Sequence, residues 1–454
     1  MNLPEALLDS LHSCSGMDRD AFIGVHHEPP PVSIRFHPFK SDAVRQNIEI
    51  NELIVDHVPW CPDGRYLSAR PSFTLDPLYH AGAYYVQEAS SMFIHHVASQ
   101  LLENVENAAV LDMCAAPGGK STLLSTLPQI RFVLANEIIQ SRVPALVENA
   151  VKWGMEKLLV CNNDPKSFEQ FGGYFDLILV DAPCSGSGLF RKDPKAMNEW
   201  SLELPEFCSA RQKRILASAM KAVKEDGFLI YSTCSYSPCE NEENMDFILS
   251  SGQFQSVELK TNPDWRIMEE SSPVHHAVGY RFFPHLVKGE GFFCAAFRRT
   301  ASSESSEVVL RGTSSIKKLP DLIPWITEDA STVVLEWEGS LFLQHLDTLP
   351  HIELFRQALR IKRSGTRLGS YKRGDFIPDH ELALCVHLSD EVSRIEVDRA
   401  TAVRYLRKDP IELETELDGW VCITFSGLAL GWVKFANGRL KNHYPMTWRI
   451  LMRN

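Results

Sequence analysis

The stretch that most constrains this chain is residues 110–122, VLDMCAAPGGKST. A short apolar run ends in Asp112, and a turn of small residues comes next: Cys114, Ala115, Ala116, Pro117, Gly118 and Gly119. Lys120-Ser121-Thr122 then opens a segment whose leucines have helical spacing. This is a strand, a tight turn and a helix start. Glycines at such a turn let the backbone approach a ligand, and free N–H groups collect at the helix N-terminus. In an open α/β sheet that crevice is where ligands bind. Neither GxxxxGK[ST] nor GxGxxG is present, so the turn is neither a Walker loop nor a dinucleotide fingerprint. By itself it leaves a cofactor site and a structural turn equally open.

The strands beyond the turn narrow the choice. Residues 101–299 alternate strands and helices, as a doubly wound sheet should. A second strand over Phe132–Glu137 ends in an acid 25 residues after Asp112, which suits the two hydroxyls of a ribose. A helix over Ser141–Trp153 comes after it. A third strand runs over Leu158–Asp164 and a fourth over Asp176–Asp181, each again ending in an acid. One such acid is more often a helix cap. Three at one edge of a parallel sheet, beside a glycine turn, favour a nucleoside cofactor.

Two cysteines share that edge. The fourth strand runs into Asp181-Ala182-Pro183-Cys184-Ser185-Gly186, and the fifth, Phe228–Ser232, into Thr233-Cys234-Ser235. Cysteines on strand-end loops rich in N–H dipoles can become nucleophiles. Cys161, Cys208, Cys294, Cys385 and Cys422 read instead as small buried hydrophobes. No histidine or third cysteine stands at ligand spacing nearby, so no metal is expected. His275 and His276 read as surface.

The flanks carry less chemistry. Ser33–Phe36 reads as a strand, Asp42–Ile48 as a short helix, and residues 84–92 lead into a helix ending at Leu102. After Arg299 a polar linker covers residues 301–307, and beyond it lies a small α+β region with no chemical signal. Net charge is −12, yet residues 351–454 hold 17 Lys and Arg against 13 Asp and Glu. Seven basic residues and no acid fall in 356–373: Arg356, Arg360, Lys362, Arg363, Arg367, Lys372 and Arg373, a run that suits phosphate contact. Short strands are expected over Gly419–Val433 and Leu440–Met452, with most of Trp420, Trp432, Tyr444 and Trp448 packing the core. Eleven cysteines without a CxxC pair argue for a reducing, cytoplasmic setting. No apolar run reaches the ~18 residues of a membrane span, and no export signal is visible.

The motifs DMCAAPGGK, NE, ND, DAPCSGSG with RKDP, and STCSYSPCENE resemble the Sun-type RNA (cytosine-5)-methyltransferases. They are most like those of the bacterial RsmF-type 16S rRNA enzymes. YVQEASSM and the terminal LGW and KNHYPMTWRI extend the resemblance, which is weakest over residues 302–350. It implies an α/β class I (Rossmann-like) S-adenosylmethionine-dependent methyltransferase core at 101–300. An α+β RNA-binding or lid domain would precede it at 1–100. A linker at 301–315, an α+β region with the basic run at 316–384 and a PUA-like RNA-binding barrel at 385–454 would come after it.

By the same resemblance Cys114–Lys120 would wrap the methionine part of the cofactor. Glu137 would hold the ribose, Asp164 the adenine, and Asp181 would line cofactor and base. Cys234 would be the nucleophile and Cys184 would assist release, with Lys120 helping to place base or cofactor. Spacing alone does not say which cysteine does which. The implied partner is RNA, as rRNA or a small-subunit particle, bound by a monomer with neither DNA nor membrane. A tRNA substrate and a methylation-inactive assembly factor are the alternatives. The latter would be expected to lose Asp181, Cys184 or Cys234, and all three are present.

Overall fold

The structure, a computed structural model, describes residues 3–40, 49–302, 317–318, 325–327, 329 and 331–452. The helix expected over Asp42–Ile48 and most of the polar linker lie outside them.

The apolar runs form one large sheet. Ala108–Asp112 (β1), Ile130–Asn136 (β2), Leu158–Cys161 (β3), Phe175–Asp181 (β4) and Val223–Thr233 (β5) lie parallel in the order β3-β2-β1-β4-β5. Phe254–Val257 (β6), Met268–Ser271 (β7), Val278–Phe282 (β8) and Phe292–Arg299 (β9) extend it antiparallel beyond β5, and Ile361–Arg363 (β10) closes the β3 edge. Every residue of β1 is buried, as a strand covered on both faces requires.

Helices Phe93–Leu101 (α1), Gly119–Leu124 (α2) and Val143–Trp153 (α3) cover one face, around Leu123, Leu124, Leu146 and Ala150. Glu203–Ala222 (α4) and Glu242–Leu249 (α5) cover the other, around Leu216, Ala219 and Ile248. Leu349–Ala358 (α6), from the region after the linker, completes that second face. Its Phe355 ring lies 5.5 Å from Phe132, 5.6 Å from Phe171 and 6.2 Å from Phe175.

Several boundaries differ from the sequence reading, three of them at strand ends with a local cause. β2 stops one residue before Glu137 and β3 three residues before Asp164. The cause is local: Asn136 Oδ1 accepts from Asn163 N at 3.0 Å, drawing the chain out of the ladder before Asp164. The strand expected over Leu440–Met452 ends at Asn442. Pro445, which has no N–H to give a ladder, precedes a 3-10 turn over Met446–Trp448.

The remaining sheets are smaller. An antiparallel sheet before the core contains Val32–Phe36 as expected, with Ile54–His57, Gly64–Leu67 and Tyr84–Val86. A five-stranded sheet uses Lys317–Lys318, Thr332–Trp337, Ser340–His345, Thr366–Lys372 and Asp375–Pro378. A final four-stranded sheet is built on the hairpin Gly419–Phe425 and Leu428–Ala436. Its turn places Ser426 and Gly427 at positive φ, which matches the twist of the paired strands. Trp432 and Tyr444 are buried there. Among the described residues, no helix is long and apolar enough to cross a membrane.

Candidate active site

β1 ends at the glycine turn. Gly118 sits at φ +111°, and an added Cβ would be strained there and lie 3.1 Å from Leu146 Cδ1. The turn is tied from outside. Ala116 O accepts from Arg142 Nη2 at 2.6 Å, Pro117 O from Asn149 Nδ2 at 2.8 Å and Gly119 O from Arg35 Nη2 at 3.2 Å. Inside it is a cavity of about 200 Å³ lined by Cys114–Pro117, Gly119, Lys120, Asp112 and Asp181. Asp112 Oδ2 accepts from Ser121 Oγ at 2.6 Å, while Oδ1 is buried without a hydrogen-bond partner. Burial pushes this carboxyl up to about 7 against the Ser121 bond, and the Asp181 charge adds to the rise.

The other acids differ in setting. Glu137 is buried, accepts from Ile139 N at 2.7 Å and lies 3.3 Å from Arg142 Nη1. Asp164 is exposed and caps the turn Pro165–Phe171 by accepting from Lys166 N at 2.9 Å. Asp181 lies beside Ser232 in the β4–β5 register, so the loops after both strands leave from the same edge.

Those loops bring the cysteines together. Cys184 Sγ and Cys234 Sγ are 3.1 Å apart. The hydrogen bond to Cys234, and then burial, push the Cys184 thiol well above its ordinary range. Gly188 lets the loops close, because a Cβ there would stand 2.6 Å from Gly291 O and 2.7 Å from Cys234 O. Beside the thiols, Lys120 Nζ donates to Asp181 Oδ2 at 2.7 Å and Ser232 Oγ to Asp181 Oδ1 at 2.8 Å. Burial works against the Lys120 charge, but the Asp181 carboxylate holds its ammonium above the usual lysine range.

One residue of this site has no role in the sequence reading. Glu240 is fully buried and accepts from Ser185 N at 2.9 Å, Gln212 Nε2 at 2.9 Å and the hydroxyls of both Ser185 and Ser235. Each serine directly succeeds one of the cysteines, so a single carboxylate clamps both loops. The available signal was an acid six residues after Cys234 in a run rich in hydroxyl donors. Cys161, Cys208, Cys294, Cys385 and Cys422 are buried, as their reading required, and His275 and His276 are exposed. Among the described residues, no group of three or more His, Cys, Asp or Glu could hold a metal.

Comparison with known proteins gives the family. A family profile described as 16S rRNA methyltransferase RsmB/F matches residues 99–298. Profiles for the N-terminal domain of 16S rRNA methyltransferase RsmF and for the methyltransferase RsmF PUA domain match residues 3–89 and 392–450. Ribosomal RNA small subunit methyltransferase F of Cronobacter sakazakii is 32% identical over 98% of this chain and 95% of its own length. The chain belongs to the RsmB/F methyltransferase family. The Shewanella woodyi protein of the same name is 31% identical over 94% of this chain and 92% of its own. Among solved structures, a methyltransferase homolog protein from Pyrococcus horikoshii is 26% identical, with a TM-score of 0.52 over 65% of this chain and 99% of its own. NSun6 from the same organism, 19% identical with a TM-score of 0.55 over 66% of this chain and 99% of its own, shares the fold. The core is thus the Rossmann-like methyltransferase fold, and the C-terminal sheet belongs to the PUA match. Residues 299–391, which include α6 and β10, fall between the last two matched stretches.

Proposed function

We propose that this protein is an S-adenosylmethionine-dependent RNA cytosine-5 methyltransferase acting on 16S rRNA, with Cys234 as nucleophile and Cys184 assisting release. The observation that carries the reading is the 3.1 Å approach of the two thiols beside the Lys120–Asp181 pair. The family supports the rRNA substrate.

The residues present fit the cofactor. The cavity in the glycine turn presents backbone and the unpartnered Asp112 Oδ1, a site for the amino group of the methionine part. Glu137 offers a buried carboxylate for ribose hydroxyls, and Asp164 an exposed one for the adenine amine. When bound, S-adenosylmethionine supplies an electrophilic methyl group. Glu137→Ala and Asp164→Ala should each weaken its binding by about 1–3 kcal/mol, the scale of a hydrogen bond to a charged group. Wild-type affinity in both, measured by calorimetry, would remove these two assignments.

The protein's own groups act on the base. Carbon 5 of cytosine is a poor nucleophile until a thiolate adds to carbon 6 and shifts the electron pair toward carbon 5. Cys234 makes that bond. Asp181, which accepts from Lys120 and Ser232, would accept in turn from N3 once that nitrogen is protonated in the adduct, and so stabilise it. After methylation a base takes the carbon 5 proton, the electron pair of that C–H bond restores the C5–C6 double bond, and the C6–S bond breaks to return the Cys234 thiolate. Cys184, 3.1 Å from Cys234, would be that base, acting as its thiolate once Cys234 is bonded to carbon 6 and their hydrogen bond no longer raises the Cys184 thiol. The base must be unstacked for any of this, so it is single-stranded or flipped out.

A denaturing gel tests the assignment. Cys234→Ser should abolish methylation and form no protein–RNA adduct. Cys184→Ser should add and methylate but stall as a covalent RNA-linked species. An adduct in Cys234→Ser alone would reverse the two roles. Full activity in both variants would refute covalent catalysis. Bisulfite sequencing of rRNA and tRNA from a deletion strain separates the rRNA substrate from tRNA.

A further inference from the structure

A second cavity, of about 610 Å³, opens beyond the ends of β2 and β3. Asn162, Asn163, Asp164 and Ile138, an isoleucine left 51% exposed, line it from the core. The rest of its wall is not part of the methyltransferase core. It is Gln357, Leu359 and Arg360, from the end of α6 and the bend into β10, nearly two hundred residues later in the chain.

That wall is firmly set. Asn162 N donates to Arg360 O at 3.0 Å, and Arg360 N to Asn163 Oδ1 at 3.1 Å. β10 then pairs with β3. Just beyond, the buried Arg363 guanidinium donates to the carbonyls of Met155 and Leu158 and meets Glu381 at 3.1 Å. On the other side Phe355 is locked into the core of the sheet. The backbone of residues 359–363 is therefore fixed, while the Arg360 side chain remains exposed at the cavity.

The lining has a definite chemistry. The residues lining it include an exposed apolar side chain, Ile138, the Asp164 carboxylate and the planar Arg360 guanidinium. A flat heteroaromatic ring with an exocyclic amine satisfies all three: apolar contact below, an acceptor for the amine, and a cation for its π face or ring nitrogens.

We propose that Gln357 and Arg360 complete the purine end of the cofactor site, so that the catalytic sheet by itself holds the cofactor only in part. This rests on the cofactor reading of Glu137 and Asp164. It makes cofactor affinity depend on the docking of a segment that leads directly into the basic C-terminal part of the molecule.

Calorimetry with S-adenosylhomocysteine on the full chain tests it. Arg360→Ala should raise Kd about tenfold, from loss of a stacked guanidinium, and Arg360→Lys should fall between it and wild type, because charge without the plane is a partial replacement. The backbone bonds of Arg360 survive both changes, so the unfolding temperature should stay near wild type. Adenosine alone, measured by competition, should lose the same factor, since the effect belongs to the nucleoside end. Normal affinity in Arg360→Ala with weakened affinity in Glu137→Ala overturns the inference and leaves the cofactor reading standing. Normal affinity in both removes the cofactor reading itself. Loss of rRNA-fragment binding in Arg360→Ala, with S-adenosylhomocysteine binding intact, makes this wall an RNA contact and also overturns the inference.

Discussion

The Glu240 carboxylate is buried and held by hydrogen bonds, and burial raises its pKa. Its acceptor atoms are shared among Ser185, Ser235 and Gln212, so replacing one oxygen with an amide turns an acceptor into a donor. Glu240→Gln should fold, bind cofactor normally and lose up to about a hundredfold in kcat as the cysteine loops shift. Unchanged kcat in a folded variant would show that the clamp is structural only. Asp112 gives a second prediction. Its folded pKa is raised to about 7, so the protonated form is the one folding favours. The resulting stability is full below about pH 4, the ordinary aspartate value, and is lost as pH rises through about 7. Asp112→Asn should therefore gain on wild type across that window in denaturant midpoints, with a constant gap above it. The cysteines and Asp181 were legible as neighbours because chemistry at strand ends leaves a local signature, whereas Lys120 entered only through the family resemblance. Glu240 was not assigned, because a clamp is defined by what it touches across a loop.

The parallel strands were legible because a strand buried on both faces is a continuous apolar run between turn signals. Their ends were less so, since one side-chain bond from Asn136 shortens β3 without altering its composition. The destination of α6 was hidden. Ile352, Leu354 and Phe355 give a helix an apolar face, and periodicity does not say which surface that face covers. In the fold it is the catalytic sheet, among Phe132, Phe171 and Phe175. Phe355→Ala should cost about 3–5 kcal/mol, the scale for deleting a buried aromatic ring. Because that ring lies in the sheet's own core, the loss should appear in the unfolding of the methyltransferase core. A chain ending at Ser302 lacks both α6 and β10 and leaves that face uncovered. It should bind a hydrophobic dye and aggregate, whereas a soluble, cofactor-binding truncate would show that the core does not need α6.

At the scale of the molecule, one lysine joins the parts. Lys40 Nζ donates to the carbonyls of Ala81 at 2.6 Å, Lys152 at 3.2 Å and Leu384 at 3.1 Å, linking the N-terminal region, the catalytic core and the C-terminal region. The basic run at 356–373 is divided in the fold. Arg356 stacks 3.9 Å from the Trp337 ring centre, Arg363 is buried, and Arg367 Nε lies 3.6 Å from Asp379. Lys372 and Arg373 stand exposed at the turn between the strands Thr366–Lys372 and Asp375–Pro378, where Lys372 lies opposite Asp375 in the register. A chain with net charge −12 repels polyanions at long range, so RNA binding has to come from such local cations. Each phosphate contact contributes about 0.7–0.9 to the slope of log affinity against log salt. Replacing Lys372 and Arg373 together by glutamine should therefore flatten that slope by about 1.5 and weaken binding of all rRNA fragments alike. S-adenosylhomocysteine affinity should not move, since neither side chain lines either cavity proposed for the cofactor. An unchanged slope would place the RNA path elsewhere on the surface and leave this turn solvated.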